Sequence, residues 1–195
     1  MGHREDLLEG AKRCLYERGY ARTTARDIVA ASGANLASIG YHFGSKEALL
    51  NAAMMEAFTE WGQELDQSLP VNAGADPVEE LESTWQTVTQ SFTVHRPLWV
   101  ASIEAYAQAQ HSPELRDQLA ASLENIRTAL AGDVTKAHGA VDERTARAVG
   151  SVQLALLTGL MVQWLIDPAG APDGADVTAA LRMIAGQPPA PDTPQ

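Results

Sequence analysis

SIGYHFGSKEALL, residues 38–50, is an unusual run in a chain otherwise rich in helix formers. It gathers Gly40, Tyr41, His42, Phe43 and Gly44 into one short run and then restarts at once with Ser45-Lys46-Glu47. Asn35, just upstream, is a good helix N-cap, Gly44 suits a left-handed C-terminal position, and Ser45 caps the segment that follows. The run is therefore a short helix, 36–43, set between two others. Ile39 and Phe43 lie four apart and share an inward face, which leaves Ala37, Ser38 and Gly40 as small residues on the outer one. A glycine inside a helix costs about 1 kcal/mol relative to alanine, so Gly40 calls for a steric reason.

Upstream, Leu7, Leu8, Ala11, Cys14 and Leu15 form a helical stripe that Gly19 stops. Thr24 followed by Asp27 resembles a capping box at the start of a second short helix, which Gly33 ends. Thr24 to Phe43 thus reads as helix, turn, helix, the motif whose second helix enters the DNA major groove. Thr24 and Ser45-Lys46 stand at two helix N-termini, where free N–H groups and the dipole favour phosphate. Downstream the spacing predicts helices over Lys46–Ser68, Val78–His95, Leu98–Gln110, Pro113–Ala137, Asp142–Ile166 and Ala175–Ala185. Loops are expected over 70–77 and 167–174. No segment alternates as a strand does. The fold class is all-α.

The chain of 195 residues is 45% hydrophobic and carries a net charge of -11, which at face value argues against a nucleic-acid binder. The average conceals an asymmetry: residues 1–50 hold seven Lys/Arg against six Asp/Glu, while the remainder holds seven against 19. A single cysteine, Cys14, excludes an intrachain disulfide and fits a reducing, cytoplasmic setting. No secretion signal is evident. Residues 148–166 contain no charge and are long enough to span a bilayer, but Gly150, Gln153, Thr158 and Gln163 interrupt them. The expectation is a buried helix and no membrane partner.

The ordered set Gly19-Tyr20, Thr23-Thr24, Ile28-Val29-Ala30, Ser32-Gly33, Ser38-Ile39, Tyr41-His42-Phe43, Ser45-Lys46-Glu47 and Leu49-Leu50 resembles the DNA-binding domain of the TetR family of bacterial transcriptional regulators. The likeness covers the first quarter of the chain. It implies phosphate contacts from Thr24, Tyr41 and Lys46, and groove contacts from the helix carrying Leu36, Ala37, Ser38 and His42 behind its cap Asn35. Arg26 stands where some members read guanine, the commonest base contact of arginine. Leu36 is apolar where others are often polar, which moves weight to Arg26.

The resemblance implies a helix-turn-helix domain over 1–47 and a helical effector-binding and dimerisation domain over 48–186, while the proline-rich composition of 187–195 predicts a disordered tail. The implied function is a ligand-responsive repressor that binds a pseudo-palindromic double-stranded operator as a homodimer. An activator, or a helical small-molecule-binding module, is the alternative. Trp85, Phe92, Trp99, Tyr106, Met161 and Trp164 are either core or the walls of an apolar pocket. Glu104 is either solvated or the charged contact in that pocket. Because the acidic excess disfavours anions, the effector expected is largely apolar and uncharged or weakly cationic. Val149, Val152, Leu156, Leu160 and Leu165 recur at spacings that make the apolar stripe of their helix wider than a monomer needs, which assigns them to a dimer interface. No nucleophile–base pair, phosphate loop or metal-ligand spacing is recognisable, so no enzyme activity, cofactor or metal is expected.

Overall fold

The computed structural model describes residues 3–68, 76–139 and 141–187, and these residues form helices without a strand. The elements are α1 (His3–Arg18), α2 (Ala25–Ser32), α3 (Leu36–Phe43), α4 (Lys46–Ser68), α5 (Pro77–Val94), α6 (Arg96–Ala109), α7 (Pro113–His138), α8 (Glu143–Ile166) and α9 (Gly174–Ile184). Most of the loop expected over 70–77, and the tail beyond residue 187, lie outside the described residues; Asp76 and Pro77 open α5 as its N-cap and first helical position. The ends of α9 differ slightly from the expected ones. Asp173 and Asp176 form a reciprocal capping box that starts the helix one residue earlier.

The chain divides into two compact units: Met1–Trp61 with Arg96–Gly159, and Gly62–His95 with Leu160–Gln195. In this grouping α6, α7 and most of α8 join the first three helices and most of α4. In the first unit Leu7, Leu15, Tyr20, Ile28, Leu49 and Leu50 are fully buried, joined by Leu98, Ala101 and Ala105 of α6. Close packing of α1 on α2 depends on Gly10, where a Cβ would stand 2.7 Å from the Ser32 Cβ and 2.9 Å from its backbone nitrogen. Lys12 ties α1 to α4. Its ammonium lies 2.6 Å from both Glu9 and Glu60 and 3.6 Å from Glu56. Burial opposes its charge, but the hydrogen bonds to Glu60 and Glu9 outweigh that and hold its pKa raised.

In the second unit α5 packs on α9, and Gly174 allows it: an added Cβ would fall 2.3 Å from the Gln86 backbone nitrogen. Phe92, Met161 and Val177 are buried there. The long apolar helix departs from the buried state expected of it. Only 22% of the most apolar window of α8 is buried. Its inner stripe, with Ala146, Gly150 and Leu154, faces its own chain, while Val149 and Val152 stand in solvent.

Candidate nucleic-acid interface

Local capping builds the interface. The Thr24 hydroxyl donates to Asp27 Oδ2 at 2.7 Å, the Thr24 N–H donates to the same oxygen at 2.9 Å, and the Asp27 N–H returns to the Thr24 hydroxyl at 3.2 Å. These bonds, with Arg18 at 3.3 Å, hold the Asp27 pKa below the usual aspartate value; the Thr24 hydroxyl contributes most. Gly33 closes α2 at φ 72°, and Asn35 opens α3 by accepting the Ser38 N–H at 3.0 Å. Gly44 ends α3 at φ 80°, a conformation that side-chain-bearing residues seldom adopt. Ser45 then accepts the Ala48 N–H at 3.0 Å and caps α4.

On α3, Tyr41 is 86% and Leu36 56% exposed, and Ala37 and Gly40 are exposed beside them. His42 is half-buried, its ring edge-on to Tyr41 at 4.8 Å between centroids. Ser38 corrects the expected outer face. It is buried beside Ile39, because its position continues the inner stripe rather than the solvent side. Gly40 has nothing of its own chain within 4 Å of an added Cβ, so internal packing does not require it. Phe43 turns inward, with the Arg4 guanidinium 5.3 Å from its ring centroid.

Lys46 is the first residue of α4, and its ammonium folds back onto its own chain. It donates to the Thr23 carbonyl at 3.1 Å and lies 3.3 Å from Glu47. Thr23 immediately precedes the α2 cap, so this positive charge sits between the N-termini of α2 and α4. Arg26 is exposed in the first turn of α2. Thr24, Arg26, Asn35, Leu36, Ala37 and Tyr41 are all open to solvent, whereas Lys46 and His42 are partly covered.

The effector residues separate. Trp99 is buried against Phe58 and Trp61, with ring centroids at 4.9 and 5.0 Å. Trp85, Phe92 and Met161 are buried as well, and Phe92 meets Trp164 at 6.1 Å. Trp164 also borders a hollow of about 200 Å³ with Thr89, Thr93 and Pro168. Glu104 does more than face solvent: its Oε2 accepts the Ala21 N–H at 2.9 Å, in the turn between α1 and α2. Tyr106, two residues on, does line a groove of about 570 Å³ between α6, α7 and α8, with Leu123, Arg127, Leu154 and Thr158. Neither Arg127 nor Lys12 was legible beforehand, since each sits in a charge-rich helix without distinctive spacing.

Of the residues assigned to a dimer interface, Val149 and Val152 are exposed and Leu156 and Leu165 half-buried. Leu160 is buried within its own chain and is unavailable to a partner. On α9, Met183 and Ile184 are exposed.

Comparison with known proteins matches residues 7–53 to the model described as bacterial regulatory proteins, tetR family, and residues 73–187 to the tetracyclin repressor-like C-terminal domain. The HTH-type transcriptional repressor AcnR of Corynebacterium efficiens is 41% identical over 56 residues, 29% of this chain and 30% of AcnR, so the chain spans under a third of that relative. The HTH-type transcriptional regulator BetI of Burkholderia cenocepacia is 24% identical over 181 residues, covering 92% of this chain and 89% of BetI. Among solved structures, the regulator SCO7518 of Streptomyces coelicolor A3(2) has a TM-score of 0.67 at 23% identity, covering 93% and 97% of the two chains. The multidrug binding protein EbrR complexed with imidazole has a TM-score of 0.65 at 22% identity, covering 99% and 98%.

Proposed function

This chain belongs to the TetR family of bacterial transcriptional regulators, and we propose that it is a ligand-responsive repressor that binds a pseudo-palindromic operator as a homodimer. The observation that carries the reading is the outer surface of α3. Small residues let a backbone come close to base edges, exposed Tyr41 reaches outward, and two capped helix N-termini with Lys46 between them flank the helix. Such N-termini and an ammonium suit phosphate, and these contacts set register. Arg26 is the side chain best suited to guanine, through bidentate bonds to its O6 and N7. Repression is favoured over activation by the AcnR relatives, which are named repressors over this same segment.

A homodimer is supported by the open apolar side chains Val149 and Val152 on α8, and by Met183 and Ile184 on α9. A two-fold dimer asks for half-sites about 34–36 Å apart, or a multiple of that spacing. The effector, a largely apolar small molecule, has its best-supported seat in the groove lined by Tyr106. From there a route to DNA runs along α6, because Glu104 holds the Ala21 N–H in the turn that leads into α2. An effector acts by binding the DNA-free arrangement more tightly, and a hundredfold loss of operator affinity corresponds to about 2.7 kcal/mol of coupling.

Selection of bound duplexes from a random library tests the reading. An inverted repeat should emerge, and a reporter placed behind it should fall when the protein is expressed. Enrichment of no sequence would refute operator binding, and a rising reporter would turn the repressor into an activator.

A further inference from the structure

We propose that the groove between α6, α7 and α8 takes an amphipathic carboxylate, its apolar body against Tyr106, Leu123 and Leu154 and its carboxylate on the Arg127 guanidinium. The inference rests on the reading of this groove as the effector site and specifies the class of effector. At about 570 Å³ the groove falls in the size range of small-molecule sites. Its geometry is set at Gly150, where α8 meets α7. A Cβ there would stand 3.0 Å from the Ala131 nitrogen and 3.2 Å from the Arg127 carbonyl oxygen. Arg127 is thus anchored by its backbone at the crossing, and the groove opens one turn further along α8, at Leu154 and Thr158.

The polar groups on the wall are unequal. The Ser151 hydroxyl donates to the Arg147 carbonyl and the Thr158 hydroxyl to the Leu154 carbonyl, each at 2.8 Å, so both protons are engaged within α8. Arg127 is the charged residue on the wall, and a guanidinium offers several N–H donors in a planar fork. The carboxylate nearest to it, Glu124 at 3.5 Å, already receives two hydrogen bonds from Arg147, at 2.6 and 2.7 Å. Arg147 and Glu143 line a different hollow, with Thr128 and Thr135. A cationic ligand would therefore face the Arg127 charge and find Glu124 taken. A neutral apolar ligand would cover the guanidinium and give it nothing. A carboxylate satisfies it with charge-assisted, potentially bidentate bonds. The Tyr106 hydroxyl is a second donor, and burial pushes its pKa up, which keeps its proton in place. The acidic excess of the whole chain, which argues for an uncharged or cationic effector, is reversed locally at this wall.

Calorimetry on the full-length protein with decanoate, decanol and decylammonium, which share one alkyl body and differ in head-group charge, is the test. Decanoate should bind about tenfold or more tightly than the other two. Arg127→Gln should bring decanoate binding down to the level of decanol, and Arg127→Lys should retain part of the preference. Ala155→Trp, on the exposed rim, should block all binding and serves as the second variant if Arg127→Gln fails to fold. Decanol or decylammonium binding as well as decanoate would overturn the anion assignment while leaving the effector groove standing. A decanoate preference that survives Ala155→Trp would place the anion site elsewhere and overturn the proposal. Binding of none of the three would overturn both the anion and the groove, but not operator recognition, which the duplex selection reads independently.

Discussion

Helices α3 and α8 both leave side chains in water that a monomer has no use for, but the two faces are made of different things. On α3 the open residues are the small Ala37 and Gly40, flanked by Leu36 and by Tyr41 with its hydroxyl. On α8 they include Val149 and Val152, with no charged residue from Ala148 to Ile166. A face of small residues invites a backbone or a base edge to approach. A branched aliphatic face gains by leaving water, at about 25 cal/mol per Å² of apolar surface buried. The chemistry of an exposed face thus specifies what should cover it, and the two faces ask for a nucleic acid and for a protein.

Charging the aliphatic face should have the largest effect. Val152→Glu should abolish the proposed dimer, because a two-fold interface through this face would bury the new carboxylate twice and an unpaired buried charge costs several kcal/mol. The site is already exposed, so the fold should survive. A soluble dimer in sedimentation would remove α8 from the interface. Gly10→Ala attacks the other region. It pushes α1 from α2 against the Ser32 backbone, and overpacking of this kind costs about 1–3 kcal/mol. Thermal melting and operator binding should both weaken while the dimer persists, and an unchanged melting temperature would contradict the packing.

Arg26→Ala should cost about 1–3 kcal/mol on the operator and relax preference at one base pair. Equal weakening on random DNA would make Arg26 a phosphate contact only. A pH titration reaches the start of α2. The Asp27 pKa is lowered on folding, so its contribution is present above the unfolded value and is lost as pH falls through the folded one. Below about pH 4 the Thr24 and Asp27 amides should lose protection against exchange relative to the unfolded chain, and Asp27→Asn should abolish that pH dependence. The smallest effect belongs to Gly40→Ala, which should stabilise the free protein by up to about 1 kcal/mol, since the position is open and helical. If operator affinity falls in the same variant, the glycine serves DNA approach; unchanged affinity would leave it without that role.

The first fifty residues were legible because their signals are local. Thr24 with Asp27, Asn35, Gly33 and Gly44 each act on backbone a few residues away, and all do what their spacing implies. Ser38 escaped, since a small polar residue carries no mark of which side it will face. The later helices were legible as helices but not as surfaces. Glu104 pairs with a backbone amide 83 residues away, and Arg127 gains meaning only from where α8 crosses α7. Trp99 and Phe92 were open to two readings, core or pocket wall, because an aromatic residue on a helix suits both; in the fold both are buried.

The Lys12 cluster has unequal tolerance to loss. One ammonium serves Glu9, Glu56 and Glu60, whose oxygens lie within 4.8 Å of one another. Removing any one glutamate leaves the cation two partners, so the joint between α1 and α4 has spare parts on the acidic side. It has none on the basic side. Without Lys12 the three carboxylates would repel one another across the joint, and the same residues that hold the helices together would drive them apart.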